Sequence, residues 1–266
     1  MSWEHFEFEL ADDGVATLTF TRPDSLNSLT FEVYGELSKL TTELITRRDV
    51  KALVLAGEGR GFCSGGNIDD IMGPLLQRDM EGTLDFTRMT CEVVRNLRRM
   101  PQPVIAAVHG TAAGAGAVLS LTSDLRIVGE GVKHHFLFTK VALTGADMGT
   151  AWMLPRVIGH GRAMQALYFG DPISSDQALA WGLANAVVPK DEVLATAQTW
   201  AQRLASGPQE AIRTTKQAVH AEAEMSFEAA LEYETTLQAA LLRTKDHREF
   251  FDAHHEKRDP GYRKDR

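Results

Sequence analysis

Apolar and polar residues alternate at the start of the chain and then change to a helical spacing. The alternation covers Phe6 to Leu10 and Val15 to Phe20. The segment between them, Ala11-Asp12-Asp13-Gly14, is typical of a hairpin turn. From Thr30 to Thr46 the apolar residues recur at helical intervals behind Thr30, a favoured N-cap residue. The pattern therefore predicts two antiparallel strands followed by a helix.

Two later segments, Ala52 to Ala56 and Val104 to Val108, are apolar on both faces, as in buried strands of α/β proteins. A helix is predicted between them and ends at Pro101-Gln102-Pro103, since proline cannot continue a helix. A helix of small residues beginning near Ala113 leads to a third strand over Asp124 to Val128. This alternation of strands and helices predicts the α/β fold class.

Beyond Thr150 the periodicity is almost wholly helical, so the sheet is expected in the first half of the chain. Intermittent apolar faces suited to packing on each other or on another subunit occur over Asp191 to Ala205, Pro208 to Ala223, Phe227 to Arg243 and Asp246 to His255. We therefore predict an α/β core over residues 1–195 and a helical C-terminal oligomerisation region over residues 196–266.

Composition narrows the class of protein. With 266 residues, 44% of them hydrophobic, the chain can bury a substantial core, and its net charge of −8 argues against a nucleic-acid partner. No apolar run approaches membrane-spanning length and the N-terminus lacks a signal-like pattern, so we expect a cytoplasmic protein without a membrane partner. Cys63 and Cys91 are too few for a disulfide framework and lack metal-ligand spacing.

Two glycine-rich loops, Gly59 to Ile68 and Gly110 to Gly116, each follow a predicted buried strand. Glycine lets backbone approach a ligand closely, and the second loop leads into a helix, whose first amides are free donors. Neither loop fits a P-loop or the usual dinucleotide fingerprint, and either one alone is more often a structural turn. Together they indicate two N–H groups converging on one oxygen, as in an oxyanion hole.

Five segments carry a resemblance to one family. Ser64-Gly65-Gly66-Asn67-Ile68 is similar to the family's A/S-G-x-D-x loop, and Pro103 to Gly110 to its K-P-V-I-A-A-V-N-G segment. The likeness continues through Leu154 to Gly159, Ala178 to Ala184 and Glu256 to Pro260, in the family's order along nearly the whole chain. The chain is therefore identified as a member of the crotonase family, which is the enoyl-CoA hydratase/isomerase family.

The resemblance implies a spiral of ββα units and a helical C-terminal region used for trimerisation, with trimers that often pair into hexamers. It also implies that the backbone amides of Ser64 and Ala115 hold a thioester carbonyl. The substrate would be an acyl-CoA thioester, so coenzyme A enters as part of the substrate and no separate cofactor is expected.

A coenzyme A channel is implied as well. Its lining, by resemblance, comprises Ser25, Leu26, Ser64, Gly65, Gly66, Asn67 and Ile68, with Phe251 and Lys257 near the adenine end. An exposed helix charge is an equally common role for a residue such as Lys257.

The family's hydratases use two glutamates, and an ungapped alignment places Val118 and Thr139 at those positions, so neither can be a carboxylate base. Asp147, within Leu143 to Thr150, instead resembles the aspartate of the G-L-x-x-D-x-G segment in the family's isomerases. Partial burial would raise its pKa and suit it to moving protons near neutrality. The alternative is that Asp147 caps the following helix.

Other reactive residues have simpler interpretations. We interpret His109 as stabilising the turn after its strand, and Cys63 as a packing residue, since no base can be assigned to it. His134 and His135 have no partner at ligand spacing, and His254-His255-Glu256 is a weak cluster, so no catalytic metal is expected.

We therefore expect an enoyl-CoA isomerase that shifts a double bond through a thioester enolate. Four alternatives stay open: a ring-modifying aromatic acyl-CoA isomerase, a hydratase that uses Glu130 or Asp124, a 4-halobenzoyl-CoA dehalogenase, and a non-catalytic acyl-CoA-binding subunit.

Overall fold

A computed structural model describes residues 3–262 of the chain. Its strands are β1 (Phe6–Leu10), β2 (Val15–Phe20), β3 (Ala52–Gly57), β4 (Gly61–Cys63), β5 (Val104–Val108), β6 (Thr111–Ala113), β7 (Leu125–Gly129), β8 (Lys133–His135), β9 (Ile173–Ser174) and β10 (Ala186–Val188). Its α-helices are α1 (Phe31–Leu44), α2 (Gly73–Leu75), α3 (Met80–Arg99), α4 (Ala115–Thr122), α5 (Thr150–Ile158), α6 (His160–Phe169), α7 (Ser175–Ala180), α8 (Val193–Ala205), α9 (Gln209–Glu222), α10 (Phe227–Leu241) and α11 (Lys245–Glu256).

The longer elements confirm the expected secondary structure. The strands predicted over residues 6–10, 15–20 and 104–108 have the bounds of β1, β2 and β5. Thr30 caps α1, because its Oγ1 accepts a hydrogen bond from the Val33 N–H at 3.4 Å. The four C-terminal helices lie within two residues of the predicted segments.

Successive strands enter two sheets in turn. The larger sheet has the order β1-β2-β3-β5-β7-β10, parallel except for the β1/β2 pair, and the smaller has the order β4-β6-β8-β9. The pairs β3/β4, β5/β6 and β7/β8 each place one strand in each sheet before the chain turns helical. This repeated ββα unit is the predicted crotonase spiral.

The central strands are apolar on both faces because both faces are covered. Leu53 and Leu55 of β3 belong to the main core, whereas Val54 packs with a second cluster built on the other face. That second cluster includes Ala197 and Ala201 of α8. The predicted boundary at residue 195 therefore falls inside α8, a helix that belongs to the core because the sheet buries it.

The expectation that the sheet lies wholly in the first half is wrong. β9 and β10 follow residue 150, and β10 forms the edge of the larger sheet by pairing in parallel with β7. The strands β4, β6 and β8 also had no counterpart in the sequence pattern. Each has only three residues, which is too short to show a period of two.

The last two helices contrast with this core. α10 has no buried residue and α11 buries only Ala253. Large apolar side chains are exposed on or beside them, at Phe227, Leu231, Leu242, Phe250 and Phe251. In the part of the chain that is described, no helix has both the length and the apolar character needed to cross a membrane.

Candidate active site

The two glycine-rich loops touch each other. They leave β3 and β5, which are parallel neighbours in the larger sheet, and so emerge at the same edge. A Cβ added to Gly65 would lie 2.7 Å from the Ala113 carbonyl oxygen and 3.1 Å from the Ala115 nitrogen. Gly65 also has φ of +90°, so only glycine suits this close approach.

The second loop presents an uncapped helix N-terminus. α4 begins at Ala115, and its N-cap Gly114 has no side chain to accept a hydrogen bond. Because Val118 N–H makes the first bond back, to the Gly114 carbonyl at 3.1 Å, the Ala115 N–H has no acceptor within residues 3–262. It is a donor at the positive end of the helix dipole.

On the first loop the free donor is not the predicted one. Ser64 N–H donates to the Leu26 carbonyl at 2.9 Å, so the prediction that this amide is available to a ligand is wrong. The Gly65 N–H donates toward the Cys63 sulfur. Gly66 N–H is the next amide, and it has no acceptor in the described part of the chain.

Strand register explains why Gly66 is free. Leu29 pairs with Gly66 as a parallel bridge, in which Leu29 N–H donates to Gly65 O at 2.8 Å and Asn67 N–H donates to Leu29 O at 2.9 Å. The flanking residues supply both bonds of such a bridge, so Gly66 directs its own N–H to the opposite side. Gly66 and Ala115 therefore carry the unpaired amides beside the contact between the loops.

The two segments predicted to line a coenzyme A channel lie side by side. The Ser64 hydroxyl donates to the Ser25 carbonyl at 3.1 Å, in addition to the backbone bond from Ser64 to Leu26. Beyond them, Ile68 is 67% exposed at the open end of the loop. The structure therefore brings Ser25 and Leu26 to the loop that carries the remaining residues of the set.

Asn27 is a structural residue of this site that the sequence pattern did not predict. Its side chain is buried, accepts from Arg22 N–H at 2.9 Å, and donates to the carbonyls of Glu58 and Gly61 at 2.9 and 2.7 Å. Its φ of +57° is tolerated by asparagine better than by most residues. An asparagine directly after the Arg22-Pro23-Asp24-Ser25 turn was the available signal.

Phe251 and Lys257 lie apart from this group in the contacts of the chain. The Phe251 ring contacts that of His255 at 4.4 Å between centroids, and Lys257 N–H donates to the His254 carbonyl at 3.3 Å. No hydrogen bond, ion pair or ring contact in the described part of the chain joins either residue to the loops. Their place near an adenine group stays a prediction.

Asp147 stands in a tight turn before α5. Its backbone carbonyl accepts from Thr150 N–H at 2.8 Å and from Thr150 Oγ1 at 2.7 Å. The N-cap of α5 is Gly149 without any side-chain hydrogen bond, so the Asp147 carboxylate does not cap the helix. Met148 has φ of +46°, an uncommon conformation for a non-glycine residue, and this turn sets the direction of the neighbouring aspartate.

Burial raises the pKa of the Asp147 carboxyl group above its ordinary value, and a hydrogen bond from Met148 N–H opposes part of that effect. The negative charge of Asp147 also raises the pKa of Tyr34 and of Cys91, after burial as the larger cause for each. No ion pair to Asp147 occurs among residues 3–262. The carboxyl group is thus half-buried without a cation, which suits a proton-transfer group.

The positions aligned with the hydratase glutamates hold no acid. Val118 is fully buried in α4, and the Thr139 hydroxyl donates to the carbonyls of Leu167 and Tyr168, both at 3.0 Å. The two other acids considered for a hydratase, Glu130 and Asp124, fit that role poorly as well. Glu130 is exposed, and Asp124 lies at the opposite end of the sheet beside the first residue of β5, where it binds Lys216.

Two further interpretations are supported by contacts. His109 Nε2 donates to the Gly59 carbonyl at 3.0 Å, which confirms its role in stabilising the turns. Cys63 is fully buried and burial raises the pKa of its thiol to about 12, so it stays neutral and packs. Within the described residues, no group of three or more His, Cys, Asp or Glu side chains could hold a metal ion.

The fold and the paired amide loops define an acyl-CoA enzyme of the crotonase type, and comparison with known proteins agrees. The family model of enoyl-CoA hydratase/isomerase matches residues 11–265. The chain therefore belongs to the enoyl-CoA hydratase/isomerase family.

Named relatives include different activities within this family. The 1,2-epoxyphenylacetyl-CoA isomerase of Escherichia coli (strain K12) is 35% identical over 94% of this chain and 95% of its own length. The (E)-benzylidenesuccinyl-CoA hydratase of Thauera aromatica is 32% identical over 94% and 95%. A crystal structure from Streptomyces coelicolor A3(2) superposes with a TM-score of 0.97 at 48% identity, covering 98% of this chain and 95% of that one.

Proposed function

We propose that this protein is an enoyl-CoA isomerase that shifts a double bond through a thioester enolate. Its amides at Gly66 and Ala115 would form the oxyanion hole, and Asp147 would move the proton. The observation that carries the proposal is the half-buried, unpaired Asp147 carboxyl group with its raised pKa, on a chain whose loops present two free amides.

In this mechanism the thioester carbonyl accepts hydrogen bonds from Gly66 N–H and Ala115 N–H. These bonds strengthen as the carbonyl oxygen gains negative charge, so they favour the enolate over the ground state. Ionised Asp147 removes a proton from one carbon of the acyl group and, now protonated, returns it to another. No nucleophile is added and the enzyme ends in its starting protonation state.

Isomerisation is favoured over hydration by the residues that occupy the two hydratase glutamate positions. Hydration needs a positioned water, a base for it and an acid for the α-carbon. Val118 is apolar and Thr139 donates its hydroxyl to two carbonyls, so neither supplies a carboxylate for that water. A 1,3-proton shift needs only one base and the two amides.

The coenzyme A part would bind along Ser25, Leu26 and the loop from Ser64 to Ile68. Support comes from the hydrogen bonds that join these segments, from Ser64 N–H to Leu26 O and from Leu29 N–H to Gly65 O, beside which lies the loop with the free Gly66 amide. The carbonyl end of a bound thioester would then lie beside the oxyanion hole. Phe251 and Lys257 would contact the adenine end only if α11 of this chain, or α11 of another subunit, lay beside the channel.

A ring-modifying isomerase of aromatic acyl-CoA thioesters is a second candidate. Supporting it is the Escherichia coli 1,2-epoxyphenylacetyl-CoA isomerase, which is 35% identical over 94% of this chain. Such a reaction would use the same oxyanion hole and the same base. The two candidates differ in the acyl group and not in the site.

We also propose that the exposed apolar side chains of α10 and α11 pack against other copies in a homotrimer or dimer of trimers. Phe227 is 73% exposed and Leu242 is 60% exposed, which is costly for a single chain in water. Light scattering coupled to gel filtration measures the copy number.

The function is tested with a 3-enoyl-CoA of six carbons in D₂O, followed by NMR. We expect conversion to the 2-enoyl-CoA with deuterium gained at the carbons that exchange. Asp147→Asn is the control, since it keeps the shape of the side chain and removes the base. Tight binding of the thioester with neither conversion nor exchange would contradict the proposal and favour a non-catalytic acyl-CoA-binding subunit.

A further inference from the structure

A cavity of about 550 Å³ lies at the amino ends of β5 and β7. The glycine-rich loops follow the carboxyl ends of β3 and β5, so the cavity and these loops lie at opposite ends of β5. The last turns of α3 and α4 line the cavity, together with α5 and α9. A cavity of this size can hold a small organic ligand, and the proposed isomerisation does not use it.

The interior of the cavity suits a hydrocarbon group. Its apolar lining comprises Leu121, Leu125, Met153, Val157, Leu204 and Ile212. The hydroxyls of Thr122 and Ser123 each donate to a backbone carbonyl of the preceding turn, at 2.8 and 3.0 Å. These hydroxyl protons are therefore already engaged, and the apolar walls favour a ligand with an apolar body.

The carboxylate in the lining, Asp124, is already neutralised. Lys216 Nζ lies 2.8 Å from its Oδ2, and His220 Nε2 lies 3.7 Å from its Oδ1. The buried Arg126 guanidinium donates to backbone carbonyls, including those of Ser123 and Leu183. These charges are thus matched within the protein, and Asp124 does not oppose the entry of an anion.

Two further cations of the lining, Arg98 and Arg156, have no acidic partner. The guanidinium carbons of Arg98 and Arg156 lie 4.8 and 3.8 Å from the centroid of the Trp152 ring. Neither arginine forms an ion pair among residues 3–262. Arg156 Nη1 donates to the Trp152 carbonyl at 2.8 Å, whereas the Arg98 side chain makes no hydrogen bond in that range. Two positive groups therefore share one ring with no carboxylate between them.

These two guanidinium groups stand at the open end of the cavity. Arg156 is exposed and Arg98 is half-buried, whereas Leu121 and Met153 of the same lining are buried. Burial lowers the pKa of Arg98 although the charge of Asp124 opposes that effect, and the like charge of Arg156 lowers it further. An anion bound between the two guanidinium groups would relieve this repulsion. Arginine matches a carboxylate well, because its N–H groups can donate to both oxygens.

We propose that the cavity binds a monocarboxylate with a medium-length hydrocarbon chain. The carboxylate would accept hydrogen bonds from Arg98 and Arg156, and the chain would lie along the apolar walls. This site is separate from the loops that carry Gly66 and Ala115. The inference therefore does not depend on the proposed isomerase activity.

The test is calorimetric titration of octanoate into the protein saturated with octanoyl-CoA, which occupies the thioester site. We expect octanoate to bind, and its affinity to fall by about tenfold in Arg98→Gln and in Arg156→Gln, as for the loss of one charged hydrogen bond. Octan-1-ol has the same chain without the charge, so it should bind more weakly than octanoate and equally to all these proteins.

Arg162→Gln is the matched control. Arg162 is exposed and its guanidinium carbon lies 5.2 Å from the centroid of the Trp181 ring, so it is also an arginine stacked on a tryptophan. It does not line the cavity, and we expect its variant to bind octanoate with wild-type affinity. An equal loss of affinity in Arg162→Gln would overturn the proposal, because the effect would then not belong to the cavity.

Thermal unfolding separates ligand binding from a structural role. Since Arg98 and Arg156 have no ion pair in the described part of the chain, the double variant Arg98→Gln/Arg156→Gln should melt close to the wild-type temperature. Octanoate should raise the melting temperature of wild type and not that of the double variant. Equal affinity in both proteins, no octanoate binding to wild type, or binding that octanoyl-CoA abolishes would each overturn the proposal.

Discussion

Two aspartates of the chain have opposite surroundings. Asp124 lies at the amino end of the parallel strands, where Oδ2 accepts from Val104 N–H at 2.7 Å and forms an ion pair with Lys216 Nζ at 2.8 Å. Asp147 is the acid of the proposed site, and it has no cation beside it within the described residues. One aspartate is paired and structural, whereas the other is free to exchange a proton.

Lys216 is the cation that pairs with Asp124. Burial lowers the pKa of this lysine, and the charge of Asp124 and its hydrogen bond oppose that effect. Lys216 Nζ also donates to the carbonyls of Leu97 and Gln102, both at 2.9 Å, so every contact binds α9 to the core. Pairing, and not residue type, therefore separates a structural acid from a candidate catalytic acid.

The largest effect should come from Asp147→Asn. We expect isomerisation to fall by about 10² to 10⁴, since an amide cannot accept the proton. Because the pKa of Asp147 is raised, wild-type activity should rise with pH through that pKa as the carboxylate forms, and the variant should lack this rise. Rates of double-bond shift across pH measure both. Activity within a few-fold of wild type would assign Asp147 to packing.

Loss of either oxyanion amide should come next. Ala115→Pro and Gly66→Pro each remove one N–H, and we expect turnover to fall by about 10² to 10³ with a smaller loss of coenzyme A affinity. Circular dichroism and melting curves identify folded variants. Replacement of the Gly66 amide by an ester, through semisynthesis, removes the donor with little change of shape. Full activity of that ester would exclude Gly66 from the oxyanion hole.

Asp124→Asn should act on stability and leave chemistry almost unchanged. It leaves the buried Lys216 without its counter-charge, so we expect a cost of about 3 kcal/mol, with turnover within a few-fold of wild type. Chemical denaturation measures the cost. Adding Lys216→Met to the variant should recover part of the loss, because no unpaired charge is then buried. A large drop in turnover at full stability would move the acid to Asp124.

The smallest effect concerns the stability of Asp147→Asn itself. A raised pKa in the folded state means that ionised Asp147 destabilises the fold. The stability that its proton contributes is present at low pH and is lost as pH rises through the folded-state pKa. We therefore expect the variant to melt a few degrees above wild type at pH 7, with the difference shrinking as pH falls. A lower melting temperature at pH 7 would contradict this.

Much of the fold could be predicted because long elements carry periodicity. The observed bounds lie close to the predicted ones for the helices α1, α8, α9, α10 and α11 and for the strands β1, β2 and β5. The short strands β4, β6 and β8 could not be found, since three residues carry no periodic signal. Their pairing nevertheless holds the two glycine-rich loops together, as β4 pairs with β6.

The contact between the two glycine-rich loops could be predicted better than the amides that are left unpaired beside it. Glycine content and position after buried strands identified both loops, and Ala115 has the free amide that was expected. The error at Ser64 has a physical cause, because which amide is free depends on the register of the bridge between Leu29 and Gly66. That register joins segments far apart in sequence. For the same reason Asn27, whose role comes from distant contacts, could not be recognised.

The most direct test of the account measures water addition and deuterium exchange on acyl-CoA thioesters of equal chain length. Asp147 and two amides are proposed to carry out proton transfer, and Val118 and Thr139 provide no carboxylate for a hydrating water. We expect rapid α- or γ-proton exchange in D₂O and hydration of crotonyl-CoA slower by about 10² or more. Rapid hydration of crotonyl-CoA by the unmodified protein would contradict the account.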